Sequence, residues 1–251
     1  METSLACVAR RAPLGPGGGR TGSARPRGRG WGAGRARRGG RGHGRLEAGG
    51  EEANTSGPGT VAIRSGTRWT DTSGEPIQAH GGGMLRLGQT YYWYGEYRDP
   101  VLQKGTAVAL YSSTDLVTWT SHGQVFGRFS DPSLADSNLE RPKIAYHPGT
   151  GKFVLWVHKE LAADYSEARA VVAVSDTVDG PYTYVRQYRP MGNMSRDCTL
   201  FVDDDGTAYF ISAANENADL IFYRLTDDWL DVAEQHNVFP GQWREAPALF
   251  K

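Results

Sequence analysis

The sequence predicts an all-β chain built as a β-propeller, with about three four-stranded blades and the opening of a fourth. Two observations predict it. One short pattern, a polar or acidic cluster followed at once by an apolar run, recurs four times. The copies read Gln78-Ala-His-Gly-Gly-Gly-Met-Leu, Glu140-Arg-Pro-Lys-Ile-Ala-Tyr, Ser195-Arg-Asp-Cys-Thr-Leu-Phe and Arg244-Glu-Ala-Pro-Ala-Leu-Phe. Their starts are 62, 55 and 49 residues apart, near the repeat of about 40–50 residues expected for a propeller blade. Between the copies, strand-length apolar runs alternate with turn residues. The innermost strands of a propeller line one channel, so residues just before them face a shared spot. Glu140, Asp197 and Glu245 are therefore expected to converge, and three carboxyls at one axis suggest acid/base chemistry.

Each unit reads in the same order. In the first, Met84-Leu-Arg-Leu and Thr90-Tyr-Tyr-Trp-Tyr-Gly-Glu96 flank Gly88-Gln89, a hairpin signal. Thr106–Ser113 is the next strand, and Asp115-Leu-Val-Thr-Trp119 leads to an outer strand at Gly123–Phe126. In the second, Lys143–Tyr146 turns through Gly149-Thr-Gly-Lys152 into Phe153–His158. Ala170–Ser175 follows, and Gly180-Pro-Tyr-Thr-Tyr184 closes the unit. The third runs from Thr199–Val202 through Asp203-Asp-Asp-Gly206 to Thr207–Ser212, then Asp219–Leu225. Leu161–Ala168 leans towards helix and is read as a connection. The fourth unit opens at Arg244 and reaches only Lys251. Three blades would leave two open flanks, since ring closure is what hides the edges, and poor solution behaviour is expected of the chain alone.

Net charge is zero, with 28 basic and 28 acidic residues, but the charge is split along the chain. Residues 1–45 hold 11 Arg and one acidic residue, Glu2; residues 46–251 hold 17 basic and 27 acidic residues. The first 50 residues also contain 15 Gly. Such a stretch buries too little apolar area to offset chain entropy, so residues 1–58 are expected to be a disordered tail and 59–251 the propeller. An Arg/Gly tail can bind nucleic acid. Trp31 stands alone there without repeated Arg-Gly-Gly boxes, which favours a non-native start and no nucleic-acid partner. Leu5-Ala-Cys-Val-Ala is too short for a secretory signal. No run approaches the ~18 apolar residues of a membrane span, so no membrane partner is expected. Cys7 and Cys198 make no disulfide framework; Cys198 reads as a small buried apolar residue.

Seven motifs in this order resemble glycoside hydrolase family 43. They are Ala79-His-Gly-Gly-Gly83, Tyr91-Tyr-Trp-Tyr-Gly-Glu96, Tyr111–Trp119, Glu140-Arg-Pro-Lys143, Ser195-Arg-Asp197, Phe201–Tyr209 and Glu245-Ala-Pro247. The wording is most similar to the branch of exo-β-1,3-galactanases and galactosidase-like members. The resemblance implies a five-bladed β-propeller and inverting hydrolysis of glycosidic bonds. Such chemistry needs an acid on the leaving oxygen and a base activating water on the opposite face. By resemblance Glu245 is the acid. Asp197 is the carboxylate that raises its pKa and holds the sugar. Most members carry an Asp base in the first blade; here Gln78-Ala-His-Gly-Gly stands there, as in that branch. The base stays open among Glu140, Glu96 and a residue of a fifth blade.

The implied activity is exo-hydrolysis of β-linked galactosyl units from plant-type polysaccharide, by a protein monomeric when complete and extracellular or periplasmic. β-Xylosidase or α-L-arabinofuranosidase activity is the runner-up, and a non-catalytic carbohydrate-binding propeller the rival class. No cofactor is implied, because carboxyls and water suffice. Gln78, His80, Glu96 and Arg196 are candidate substrate contacts. The plainer readings are a Glu140 ion pair with Arg141 or Lys143, a turn role for Asp197, an edge charge at Glu245, and a core histidine at His80. Trp93 and Trp156 read as equivalent inter-blade core residues. Asp203, Asp204 and Asp205 read as a solvated hairpin turn, since their spacing is not that of a calcium loop.

Overall fold

The computed structural model describes the strand Ala6–Arg11 and residues 62–250. Most of the Arg/Gly-rich segment, including Trp31, lies outside the described residues. Within the stretch expected to be structureless, Ala6–Arg11 (β1) forms a strand. It pairs antiparallel with Arg244–Phe250 (β14) and gives that strand's backbone groups hydrogen-bond partners.

The rest is three four-stranded antiparallel meanders. The first holds His80–Leu87 (β2), Thr90–Arg98 (β3), Gly105–Ser113 (β4) and Thr120–Gly127 (β5). The second holds Ser137–His147 (β6), Lys152–Leu161 (β7), Arg169–Ser175 (β8) and Thr183–Tyr188 (β9). The third holds Cys198–Val202 (β10), Ala208–Ala214 (β11), Asp219–Leu225 (β12) and Val232–Phe239 (β13). β6 neighbours both β2 and β10, and β10 neighbours β14, so the first strand of each unit is the innermost. These are propeller blades, as the repeat predicts. No helix forms over Leu161–Ala168, which is an irregular connection. Among the described residues no helix is long and apolar enough to cross a membrane.

The side-chain period of two explains why the middle strands read as unbroken apolar runs. On β7, Phe153, Leu155 and Val157 pack towards the first blade with Leu110, Phe126 and Leu139. Val154 and Trp156 pack towards the third blade with Phe210 and Tyr223. On β12, Ile221 and Tyr223 face the second blade, while Leu220 and Phe222 join Ile211 and Phe239 on the other side. Each blade is thus buried on both faces. Removing a ring of this kind costs about 3–5 kcal/mol.

Trp156 stacks on Phe210 with centroids 4.4 Å apart and donates from Nε1 to Trp229 O at 3.0 Å. Its structural equivalent is Tyr94, not Trp93, because Gly83 pairs with Tyr94 as Lys143 pairs with Trp156. Trp93 packs edge-on against Trp69 (5.8 Å) and Trp119 (5.4 Å) on the far face of the first blade. Trp69, Ile77 and Leu116 cover that face. Asp203–Gly206 forms the β10–β11 turn, closed by Asp203 N donating to Thr207 O at 2.8 Å.

Candidate active site

Three of the innermost strands, β2, β6 and β14, carry one recurring backbone device. In β2, three steps from His80 to Gly83 face two steps from Glu96 to Tyr94. In β6, Glu140 to Lys143 faces His158 to Trp156 in the same way. In β14, Glu245 to Ala248 faces Arg10 to Val8. The second residue of each bulge is left-handed: Gly81 (φ 56°), Arg141 (φ 53°) and Ala246 (φ 49°). A bulge re-aims the side chain beside it, which suits the rim of a site. It also sets the true phase of the repeat. His80, Glu140 and Glu245 are equivalent, and Gln78 lies two residues upstream, its Oε1 accepting from Arg98 N at 3.2 Å.

Beside the bulges, on the inner strands themselves, lies a cavity of about 370 Å³ lined by Gly81, Arg141, Lys143, Cys198, Ala246 and Pro247 among others; His80, Glu140, Asp197 and Glu245 do not line it. Gly82 lets β2 approach β3 there. A Cβ on it would sit 1.8 Å from Tyr94 O and 2.6 Å from Gly95 Cα.

Asp197 precedes β10 and joins two heads. Its Oδ1 accepts from Arg141 Nε at 3.0 Å, beside Glu140. Its Oδ2 accepts from Ala246 N at 3.1 Å, beside Glu245. Asp197 thus reaches Glu245 through the Ala246 amide. Glu245 Oε1 accepts from Asn217 Nδ2 at 2.7 Å. Asn217 comes from the β11–β12 turn, where Asn215, Glu216 and Asn217 all have positive φ (48°, 54° and 69°). Three consecutive left-handed non-glycine residues mark local strain of the kind held at functional sites.

Glu140 sits in a second network. Its Oε1 accepts from Tyr165 Oη at 2.6 Å and Asn138 Nδ2 at 2.9 Å. His158 Nδ1 lies 3.4 Å from its Oε2. Behind it, His158 Nε2 meets Glu160 Oε1 at 3.0 Å, and Glu160 Oε2 accepts from Glu167 N and Ala168 N at 2.9 and 2.8 Å. Burial alone would raise the Glu140 pKa. Hydrogen bonds from His158 and Tyr165, the His158 charge and Asn138 outweigh it and hold the carboxyl at about 2. Burial likewise works against a charged His158, but the bonds and charges of Glu140 and Glu160 win and raise its pKa.

The other expected contacts divide. Glu96 is 2% exposed. Its Oε2 accepts from Arg98 Nε and Nη2 at 3.1 and 3.0 Å, and its Oε1 from Arg141 N at 3.0 Å. Both oxygens are engaged inside the protein, which suits positioning of the Arg141 bulge. His80 is exposed and pairs across the sheet with Glu96. Arg196 sits half-buried at the rim, bonded to Glu216 Oε2 at 2.6 Å and Tyr165 O at 3.0 Å. Cys198 is buried, and burial pushes its thiol up to about 12, consistent with an inert packing role.

Sequence reasoning missed Arg141, His158, Tyr165 and Asn217. Arg141 was legible only as an ion partner for Glu140, and His158 only as the end of a strand. Glu140, His158 and Asp197 each offer a ligand atom within 4.8 Å of the others. Against burial, Glu140 and Glu160 raise the His158 pKa and so favour its charged form, which has no lone pair to give a metal, and Asp197 is paired with Arg141.

The model of the glycosyl hydrolases family 43 matches residues 78–251. The chain superposes on an exo-β-1,3-galactanase from Clostridium thermocellum with a TM-score of 0.72 and 51% identity. That match covers 75% of this chain and 43% of the other. A β-1,3-galactosidase solved with galactodeoxynojirimycin matches at 36% identity and TM-score 0.71, covering 75% and 70%. A xylan 1,3-β-xylosidase from a Vibrio species is 25% identical over 138 residues, 51% of this chain and 24% of that protein. The chain thus spans less than half the length of the galactanase and a quarter of the xylosidase.

Proposed function

The chain belongs to glycosyl hydrolase family 43, and from that premise we propose that it forms the catalytic propeller of an inverting, exo-acting hydrolase. The substrate is a β-linked galactosyl unit at the end of a plant-type polysaccharide, with β-1,3 linkage favoured by the two galactose-directed structures it is similar to. One observation carries the reading. Asp197 ties the bulge beside Glu140 to the bulge beside Glu245, bringing three blade heads into one charged cluster.

In this reading Glu245 protonates the leaving oxygen, and Asn217 orients its carboxyl. Asp197 and Arg141 set the field around it. Glu140 stays ionised at any working pH, and a carboxylate of pKa about 2 is a weak proton acceptor. Its role is to accept hydrogen bonds from a sugar hydroxyl or the attacking water. His80, exposed opposite Glu96, lies at the sugar entrance. In this reading the chemistry asks for no cofactor, and the complete protein works as a monomer outside the cell or in the periplasm. NMR of the first product from a β-1,3-linked galactobiose tests it. α-Galactose as the first anomer supports inversion; β-galactose, or no turnover, overturns it. The relationship to the xylosidase supports a second reading, release of β-linked xylose, which the same assay on xylobiose distinguishes.

A further inference from the structure

Lys143 follows Glu140 by three residues, and as a sequence it reads as a surface partner for that carboxylate. The structure turns it into the cavity beside the bulges of β2, β6 and β14. Among the described residues no carboxylate pairs with it. Its Nζ donates instead to three carbonyls: Gly81 O at 2.8 Å, Pro142 O at 3.2 Å and Arg141 O at 3.3 Å. An ammonium has three donors, and all three are used. Gly81 and Arg141 are the two left-handed residues of the bulges in β2 and β6. The Arg141 carbonyl also accepts from Cys198 Sγ of β10 at 3.4 Å.

Carbonyl oxygens of two blades turned towards one point repel each other unless a cation sits between them. The backbone of Arg141 is then held on both sides, its N–H by Glu96 and its carbonyl oxygen by Lys143, while its guanidinium holds Asp197. Burial pushes the Lys143 pKa below the usual lysine range, while Asp197 and Glu96 act against that fall.

We infer that Lys143 is the axial positioning residue of this site: its ammonium, seated on the bulge carbonyls of β2 and β6, fixes the Arg141 peptide and through it Glu140 and Asp197. The inference rests on the hydrolase reading for its effect on turnover, but the seat itself does not. Its test is Lys143→Ala, assayed on β-1,3-linked galactobiose with and without methylammonium. Loss of a buried charged donor predicts a fall in kcat of at least about tenfold with little change in KM. Methylammonium returns the N–H donors and restores activity; tetramethylammonium, with the charge but no N–H, does not. Methylammonium also raises the melting temperature of Lys143→Ala and leaves the parent unchanged.

Wild-type kcat in the variant, or equal rescue by both amines, overturns the inference. If the parent turns nothing over, the hydrolase reading fails, and the methylammonium-selective melting shift still decides on the seat. If the variant does not fold, nitrogen-detected NMR of the parent decides. Slowly exchanging Lys143 ammonium protons support the seat, and exchange as fast as that of surface lysines overturns it.

Discussion

Arg141 Nε donates to Asp197 Oδ1 at 3.0 Å, a charge pair that crosses from the second blade to the head of the third. Asp197 is the hinge of the site, because its other oxygen holds the Ala246 amide. Asp197→Asn removes the charge and turns an amide N–H towards either the guanidinium or the Ala246 N–H. A charge-assisted bond is worth about 1.5–3 kcal/mol, so kcat/KM should fall roughly 10–150-fold while the fold persists. Steady-state kinetics beside a melting curve check this. An unchanged kcat/KM would remove Asp197 from the site.

Glu245→Gln keeps the Asn217 contact in reach but has no proton to give. General acid catalysis contributes about 10²–10⁴-fold, so kcat should fall by that factor while the affinity for galactose is kept. Calorimetric binding and single-turnover kinetics on the same sample separate the two quantities. A binding-only propeller would show no turnover to lose.

The Glu140–His158–Glu160 stack sets a pH window. The Glu140 pKa falls from its usual 4.5 to about 2, so its contribution to stability is complete above 4.5 and is lost as pH falls towards 2. His158 is raised above its usual 6.5, so its contribution is complete below 6.5 and is lost as pH rises through the folded value. The stack therefore stabilises most between about 4.5 and 6.5. Melting temperature against pH should decline above that range in the parent. In His158→Gln the alkaline decline should be smaller. A parallel decline in both proteins would show that His158 titrates normally.

Gly82 and Gly88 make opposite predictions from the same residue type. Gly88 has φ 60° with nothing within 4 Å of a built Cβ, so Gly88→Ala meets only backbone strain of about 1 kcal/mol. Gly82→Ala drives a methyl into Tyr94 O and Gly95 Cα. It should cost several kcal/mol, beyond what most single substitutions do. Urea denaturation of the two variants should give a small shift for Gly88→Ala and no folded baseline for Gly82→Ala.

Much of this site was legible because the blade repeat is written in local chemistry. Gly88, Gly151 and Gly206 mark three hairpins with positive φ, and the alternation on β7 places its apolar residues before any contact is known. Glu140, Asp197 and Glu245 were placed at the blade heads by the same route. What local chemistry hides is the bulge and the register of pairing. That register, with hairpin turns of unequal length, sets the phase, so His80 and not Gln78 is the equivalent of Glu140, and Tyr94 and not Trp93 that of Trp156.

Partners from distant strands were also hidden. Arg141 reads as a neighbour of Glu140, yet the left-handed backbone turns it away to Asp197, 56 residues further on. Glu96 ends an aromatic strand like many exposed carboxylates, and only the fold buries it under Arg98 and Arg141. Lys143 reads as a surface charge, and only the convergence of β2 and β6 gives its ammonium three carbonyls. The sequence by itself determined the blade order, most of the strands and which carboxyls head the blades, though not β1 or β13, because period and turn chemistry act over a few residues. The tertiary structure alone decided which charges meet, because hydrogen bonds between blade heads depend on bulges and on packing between strands far apart in the chain.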